Sequence, residues 1–459
     1  MRVQQLSTKT NRIAIALLFL FSSVFALSWG LALARAAHGI ILDFKIVYYG
    51  ARCLVQHRDP YSQRDLMQVY LAEGGEKAPE AAQGYHTQQI VASQMYLPSA
   101  ALFTAPFGML SWPIAYFTWV AITVCGVTGA ALLIWNVASR YAAGPSLYLT
   151  SFLLLNSGVL FAGGNPAGVA VSLCMIAVWC FIEDRFLYIG VLSLAISLAI
   201  KPHDAGFVWL YFLLAGGIYR KLALKTLLVT AALSLVAVAW IWHVSPHWLQ
   251  ELQTNVQEYA VRGSYNDPGP VANRSIGTGM IIDLQTITSV VRDDPGFYKP
   301  AAYLLCAPFL VIWIYQTIRS SFSQRSAWLA LAAMAPLTML PVYHRPYDAK
   351  LLLLTIPACA ILWSEGKRAA WLGMVLTAMG IVITSDLPLG LLSILSKGLQ
   401  VPEGYPGEVI TILLLRPVPI VLLALSTFYL VEYAKSCQLS VTGRDTSSRN
   451  LNAVPAGSH

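Results

Sequence analysis

The chain has 459 residues, of which 57% are hydrophobic and only 11% charged, and its mean hydropathy is +0.60. These values lie far from those of a soluble domain and describe a polytopic membrane protein, with helices as the spanning form because each satisfies its own backbone and the alternation of a transmembrane barrel is absent. The net charge of +8 does not point to nucleic acid, since Lys and Arg are spread one to three per loop and form no basic face.

The first apolar run, Ile13 to Ala34, follows Arg2, Lys9 and Arg12. Ala32-Leu33-Ala34 has the small residues of a signal-peptidase site, but the run is long for a signal peptide and reads as an uncleaved first span. The first long loop, 35–111, is then expected to hold two helices, Phe44 to Val55 and Gln63 to Ala72, around the turn His57-Arg58-Asp59-Pro60-Tyr61. Tyr48 with Arg52 and Tyr49 with Cys53 stand four apart, so the first helix has a polar-aromatic edge beside an apolar one, as in a helix lying along a membrane surface.

Asp43 opens that helix. Capping alone explains it, with a contribution of about 1 kcal/mol; the helix dipole would equally hold an oriented, ionised carboxylate for chemistry. Glu73 to Gln89 has the composition of a mobile segment, and Pro98 to Leu110 is short for a crossing and suits a re-entrant or interfacial helix.

Further apolar runs lie at 112 to 137, 145 to 162, 166 to 182, 186 to 200, 203 to 219, 222 to 243, 299 to 318, 326 to 343, 347 to 363, 370 to 386 and 409 to 434, which gives roughly twelve spans. With Pro98 to Leu110 not crossing, every inner loop carries Lys or Arg: Arg140, Arg185, Arg220 with Lys221 and Lys225, Arg319 with Arg325, and Lys367 with Arg368. Both termini then lie inside, residues 1–434 form one transmembrane domain with external loops at about 35–111 and 245–298, and 435–459 form a polar cytoplasmic tail expected to be disordered. Cys125, Cys174, Cys180, Cys306 and Cys359 sit inside apolar runs without ligand spacing and read as small core residues.

This topology puts several polar clusters on the external side. Gly163-Gly164-Asn165-Pro166 reads as helix punctuation, and equally as a place where a ligand nears the backbone with Asn165 aimed at it. Lys201-Pro202-His203-Asp204 combines a snorkelling lysine with an N-cap aspartate, but a cation on the side that positive-inside disfavours calls for an anion. His344-Arg345-Pro346-Tyr347-Asp348 offers either an internal Arg345–Asp348 pair or donors for a phosphate, which arginine fits bidentately. Asn273-Arg274-Ser275 matches a glycosylation sequon, a pattern of low specificity.

No GxxxxGK or strand-borne GxGxxG occurs, so a cytoplasmic nucleotide site has no support. A carboxylate and several cations on the outer face suit sugar transfer from a lipid phosphate: the base takes the acceptor proton and the cations stabilise the departing phosphate. A lipid-linked glycan ligase or polymerase would need the same equipment; a secondary transporter would show inverted repeats and helices broken at mid-membrane depth, which are not evident.

Asp43-Phe44 with Tyr48-Tyr49, Asp59-Pro60-Tyr61, Tyr96-Leu97-Pro98 with its short apolar helix and Trp119, Gly164-Asn165, Lys201-Pro202, Asn273-Arg274-Ser275 and His344 together resemble the GT87 family of the GT-C superfamily, from about Asp43 to Pro357. Its members are polyprenyl-phosphate-mannose-dependent mannosyltransferases. The resemblance implies a GT-C-like helical bundle in the cell (inner) membrane with its site on the periplasmic face. It implies Asp43 as the base, Lys201 with His203 or His344 at the donor phosphate, and Asn165 and Arg274 lining the cavity. Tyr49, Arg52, Asp204, Arg345 and Asp348 complete the expected substrate-binding set. The expected partners are a polyprenyl-phosphate sugar donor, a glycolipid or glycan acceptor and the bilayer, with no cofactor and no metal ligand set, although Asp59 and Asp204 can approach in space. Two positions depart from the family pattern: Pro166 follows Asn165, where many members have an aliphatic residue, and Arg345 follows His344, where many have a second histidine.

Overall fold

The computed structural model describes residues 9–36, 43–75, 91–262, 266–269, 281–366, 368–386 and 404–451. Arg274, and 76–89 of the segment expected to be mobile, lie outside the described residues. Among the described residues the chain is helical, with no strand.

Helix α1 (Lys9–Ala36) is apolar on all sides and crosses the bundle at very close range. A Cβ at Gly30 would stand 2.1 Å from the carbonyl oxygen of Gly158, and one at Gly158 would stand 2.6 Å from that of Ala26, so small residues let the two backbones meet. Helix α2 (Asp43–Val55) and α3 (Gln63–Ala72) form as expected from the sequence. Helix α2 is not left open on one side, however: Phe44, Ile46, Val47, Tyr48, Tyr49, Ala51, Cys53 and Leu54 are all buried. Helix α4 (Pro98–Gly108), the short apolar helix, packs along α2 and also against the later helix Gly217–Val244, while Tyr70, Trp112 and Glu73 cover the expected polar edge.

Helix α5 (Trp112–Leu155) has 44 residues, more than twice the length of about 20 that spans a bilayer. It is two helices fused at a kink, where Ala142 takes φ −148° and ψ 86°. Pro145 causes this, since its ring collides with the carbonyl four residues back and it has no N–H to donate. The runs expected at 112 to 137 and 145 to 162 are therefore joined by a bend where a loop was expected. The hydroxyl pair Ser23–Thr128, at 2.8 Å, ties α5 to α1. Cys125 is exposed on α5, whereas Cys174, Cys180, Cys306 and Cys359 are buried.

The rest of the bundle consists of α6 (Gly158–Gly163), α7 (Ala167–Ile182), α8 (Leu187–Ile200), α9 (Pro202–Leu214), α10 (Gly217–Val244), α11 (Trp248–Tyr259), α12 (Gln285–Val291), α13 (Pro295–Arg319) and α14 (Gln324–Thr338). A 3₁₀ segment, Asp348–Leu354, leads into α15 (Thr355–Ser364), followed by α16 (Arg368–Ile383), α17 (Tyr405–Ile410) with a π turn over Thr411–Leu415, and α18 (Val418–Leu451). Helix α18 runs past Lys435 into the segment read as a disordered tail. Among the described residues, α1, α5, α10, α13 and α18 contain five helical stretches long and apolar enough to cross a membrane. The protein is thus a helical membrane protein.

The two long loops clasp each other. Asn255 on α11 donates its amide to the carbonyls of Tyr61 (3.0 Å) and Gln94 (3.2 Å), and its own oxygen accepts from Gln63 at 3.1 Å. Ser99, at the start of α4, donates to the carbonyl of Ala199 at 2.6 Å and so anchors the first loop two residues before Lys201.

Candidate functional site

The site is built at the junctions where apolar helices break. Gly164 ends α6 with φ +62°, the left-handed conformation that favours glycine, and a Cβ there would stand 2.9 Å from that of Phe44. Punctuation and close approach are one feature here. Trp119 fixes the junction by donating its indole N–H to the Gly164 carbonyl at 2.8 Å while stacking on Phe44, with ring centroids 4.9 Å apart. Asn165 follows. Its Oδ1 accepts the Ala167 backbone N–H at 2.8 Å, which turns its Nδ2 toward Asp43, and that amide donates to the Asp43 carboxylate at 2.9 Å.

Asp43 is therefore the first residue of α2 and also part of a tertiary contact. It is half-buried, at the junction of α2 with the α6–α7 break. Burial pushes its carboxyl above the usual range, opposed by the Asn165 hydrogen bond and by the positive charges of Arg345 and Lys201.

Lys201 caps the break between α8 and α9 with φ −149° and ψ 81°. Its ammonium bonds the Asp348 carboxylate, stands 3.4 Å from Asp204 and lies 5.1 Å from the centre of the Tyr347 ring. Burial opposes its charge, but Asp204 and Asp348 outweigh it and hold the ammonium protonated. Asp348 also accepts the Arg345 backbone N–H at 2.9 Å, so the expected Arg345–Asp348 pairing is made through the main chain. The Arg345 guanidinium turns instead to Tyr343 and Asn266.

His344 is fully buried, and its Nδ1 lies 2.8 Å from the Val342 carbonyl. A carbonyl only accepts, so Nδ1 carries the proton and Nε2 faces Asp204 Oδ1 at 3.6 Å. His203 Nε2 stands 3.8 Å from the same oxygen, and the two imidazole rings meet edge to face at 5.0 Å. The three residues place a nitrogen, an oxygen and a nitrogen within 4.8 Å of one another, as metal ligands require. The backbone of Ile282, from the second long loop, donates to the His344 carbonyl at 3.0 Å and holds this segment in place.

Asn165 thus joins Asp43, while Lys201, His203, Asp204, His344, Arg345 and Asp348 form one cluster whose charges reach Asp43. Tyr49 and Arg52 go elsewhere: Tyr49 packs on Tyr70 and Trp112, and Arg52 pairs with Glu73 and donates to the Gly108 carbonyl at 2.8 Å. The i,i+4 spacing identified an edge but not its cover. Tyr96 and Tyr347 were missed as site residues. Both lie close enough to Asp43 to feel its charge, and the only sequence signal for them is membership in the Tyr96-Leu97-Pro98 and His344-to-Asp348 segments.

Beside the cluster an apolar groove of about 500 Å³ runs between α9, α13 and α14. Phe207, Leu210, Leu310, Leu337 and Val342 line it, and His203, with 41% of its side chain exposed, stands at its edge. Compared with protein-family models, with curated proteins and with solved structures, the chain matches none.

Proposed function

We propose that this protein is an integral-membrane glycosyltransferase of the GT-C kind, moving a hexose, by resemblance mannose, from a polyprenyl-phosphate donor to an acceptor hydroxyl on the external face. The observation that carries this reading is an apolar groove lined by His203, the residue that links it through Asp204 to the Lys201–Asp348 pair, whose charges reach the Asp43–Asn165 pair. An isoprenoid chain suits the groove, and its phosphate reaches the cluster.

In the reaction Asp43 takes the proton of the acceptor hydroxyl. The hydroxyl oxygen attacks the sugar C1 from the face opposite the phosphate, the C1–O bond breaks, and polyprenyl phosphate leaves with the electron pair, so the anomeric centre inverts. Phosphate leaves without protonation, and one carboxylate suffices where glycoside hydrolysis uses two. A base held above the ordinary carboxylate range takes the proton more readily at neutral pH.

The twelve-span arrangement with both termini inside belongs to this proposal. Contacts between loops assigned to the inner side support it: Arg140 pairs bidentately with Glu183 at 3.0 and 2.8 Å, Arg325 with Glu365 at 2.8 and 3.1 Å, and Tyr219 stacks on Phe322 at 4.0 Å.

The test is purified protein in proteoliposomes with polyprenyl-phosphate [³H]mannose and extracted membrane glycolipids. The expected result is transfer of label with release of polyprenyl phosphate, reduced by about 10²–10⁴-fold in Asp43→Asn. Undiminished turnover by that variant removes Asp43 as base. Solute accumulation in vesicles without chemical change replaces the enzyme with a transporter.

A further inference from the structure

Asp204 is 1% exposed; its Oδ2 faces the Lys201 ammonium at 3.4 Å, while Oδ1, like Nε2 of the fully buried His344, has no hydrogen-bond partner. Buried polar atoms are normally satisfied, because leaving one bare costs the whole of its lost hydration. These bare atoms face one another. His344 Nε2 and His203 Nε2 lie 3.6 and 3.8 Å from one oxygen, Asp204 Oδ1.

The Val342 carbonyl takes the proton of Nδ1, which leaves Nε2 as the ring nitrogen directed at the Asp204 carboxylate and available to a metal ion. A backbone carbonyl at the far nitrogen is the arrangement that orients a metal-bound histidine.

We propose that His203, Asp204 and His344 bind a divalent transition-metal ion of the zinc kind. Two imidazoles and one carboxylate match zinc and its neighbours, whereas magnesium and calcium require oxygen ligands. With bonds of about 2.0–2.2 Å, tetrahedral ligands stand about 3.4 Å apart; the two His–Asp distances of 3.6 and 3.8 Å are near this, and the two imidazole nitrogens, which lie within 4.8 Å of each other, close the set by drawing together. His203 is the side chain free to make that move, and its exposure at the groove edge gives the ion a way in.

Three protein ligands leave a fourth position open. Around it Lys201 and Arg345 are balanced in charge by Asp204 and Asp348, so the cluster without an ion is neutral and a weak trap for an anion. A dication makes it positive and lets a phosphate oxygen take the open position as a fourth ligand. This role, unlike the site itself, rests on the function proposed above.

The test is direct metal binding to the full-length protein in lipid nanodiscs, stripped with EDTA and titrated with Zn²⁺ or Co²⁺ alone. The expected result is one Zn²⁺ per chain, a visible Co²⁺ absorption band and a rise in melting temperature on zinc addition. His344→Ala and His203→Ala each weaken binding at least tenfold. His344 is buried, so its loss can disturb folding; His203→Ala decides the matter, keeping the wild-type melting temperature in EDTA while losing the zinc-induced rise. Absence of stoichiometric zinc in the wild type, or undiminished binding by His203→Ala, overturns the proposal. Zinc binding without sugar transfer leaves the metal site standing and removes the glycosyltransferase reading, whereas full transfer in EDTA with no zinc bound does the reverse.

Discussion

Asp43 and Asn165, 122 residues apart in sequence, meet through an amide-to-carboxylate hydrogen bond of 2.9 Å, and the amide has no freedom to flip because its oxygen is held by the Ala167 N–H. The bond favours the ionised carboxylate, while burial disfavours it more strongly.

The proposed base works only when deprotonated, so kcat/KM rises with pH through the Asp43 pKa and is lost below it. Burial sets that acid limb above the ordinary carboxylate value of about 4. Asn165→Ala removes a contact that lowers the pKa, so the limb moves to higher pH. A pH–rate profile of the two proteins checks this; a limb that stays put or moves down removes the link.

Asp348 holds the buried Lys201 ammonium and the Arg345 backbone N–H together. Asp348→Asn takes one partner from a buried ion pair, which costs about 3–5 kcal/mol. Thermal or denaturant unfolding in detergent measures it, and a change within about 0.5 kcal/mol, typical of a surface substitution, contradicts the pairing.

Gly164→Ala puts a side chain on a left-handed residue, at about 1–2 kcal/mol, with its Cβ 2.9 Å from that of Phe44. The start of α2 must shift, so transfer falls further than stability. Trp119→Phe keeps the ring stacked on Phe44 but loses the hydrogen bond to Gly164, and its effect lies in the same direction and is smaller. Parallel melting and activity measurements separate the two; no loss in Trp119→Phe argues that the ring alone matters.

Ala307 lines the groove from α13. Ala307→Trp fills part of it and is expected to raise KM for a long-chain donor about tenfold, or about 1.4 kcal/mol, with kcat little changed. A donor cut to one isoprene unit gains nothing from the groove and shows no such penalty. Steady-state kinetics with both donors checks this, and equal penalties place the lipid elsewhere.

Much of the site was legible because charges at the ends of apolar runs demand a reason: Asp43, Asn165, Lys201 and His344 were each singled out at a helix break. Their partners were not legible. Lys201 finds Asp348 across 147 residues, and no periodicity carries information over that distance. Arg52 was drawn toward the substrate by its spacing from Tyr48, whereas the structure gives it Glu73, because helical spacing says which side chains share an edge and not what covers it. The helical class was plain from composition, yet the bend at Ala142 was hidden, since a proline between two apolar runs looks the same whether it ends a helix or bends one.

Asn255 joins Tyr61 and Gln94, residues made 194 and 161 positions earlier. During synthesis those carbonyls must wait until α11 has reached the same side of the membrane. The first loop is therefore docked late, and a chain halted after α10 holds Asp43 without the clasp that closes over its loop. The hold on the loop that carries Asp43 thus forms only after more than half of the chain has been made.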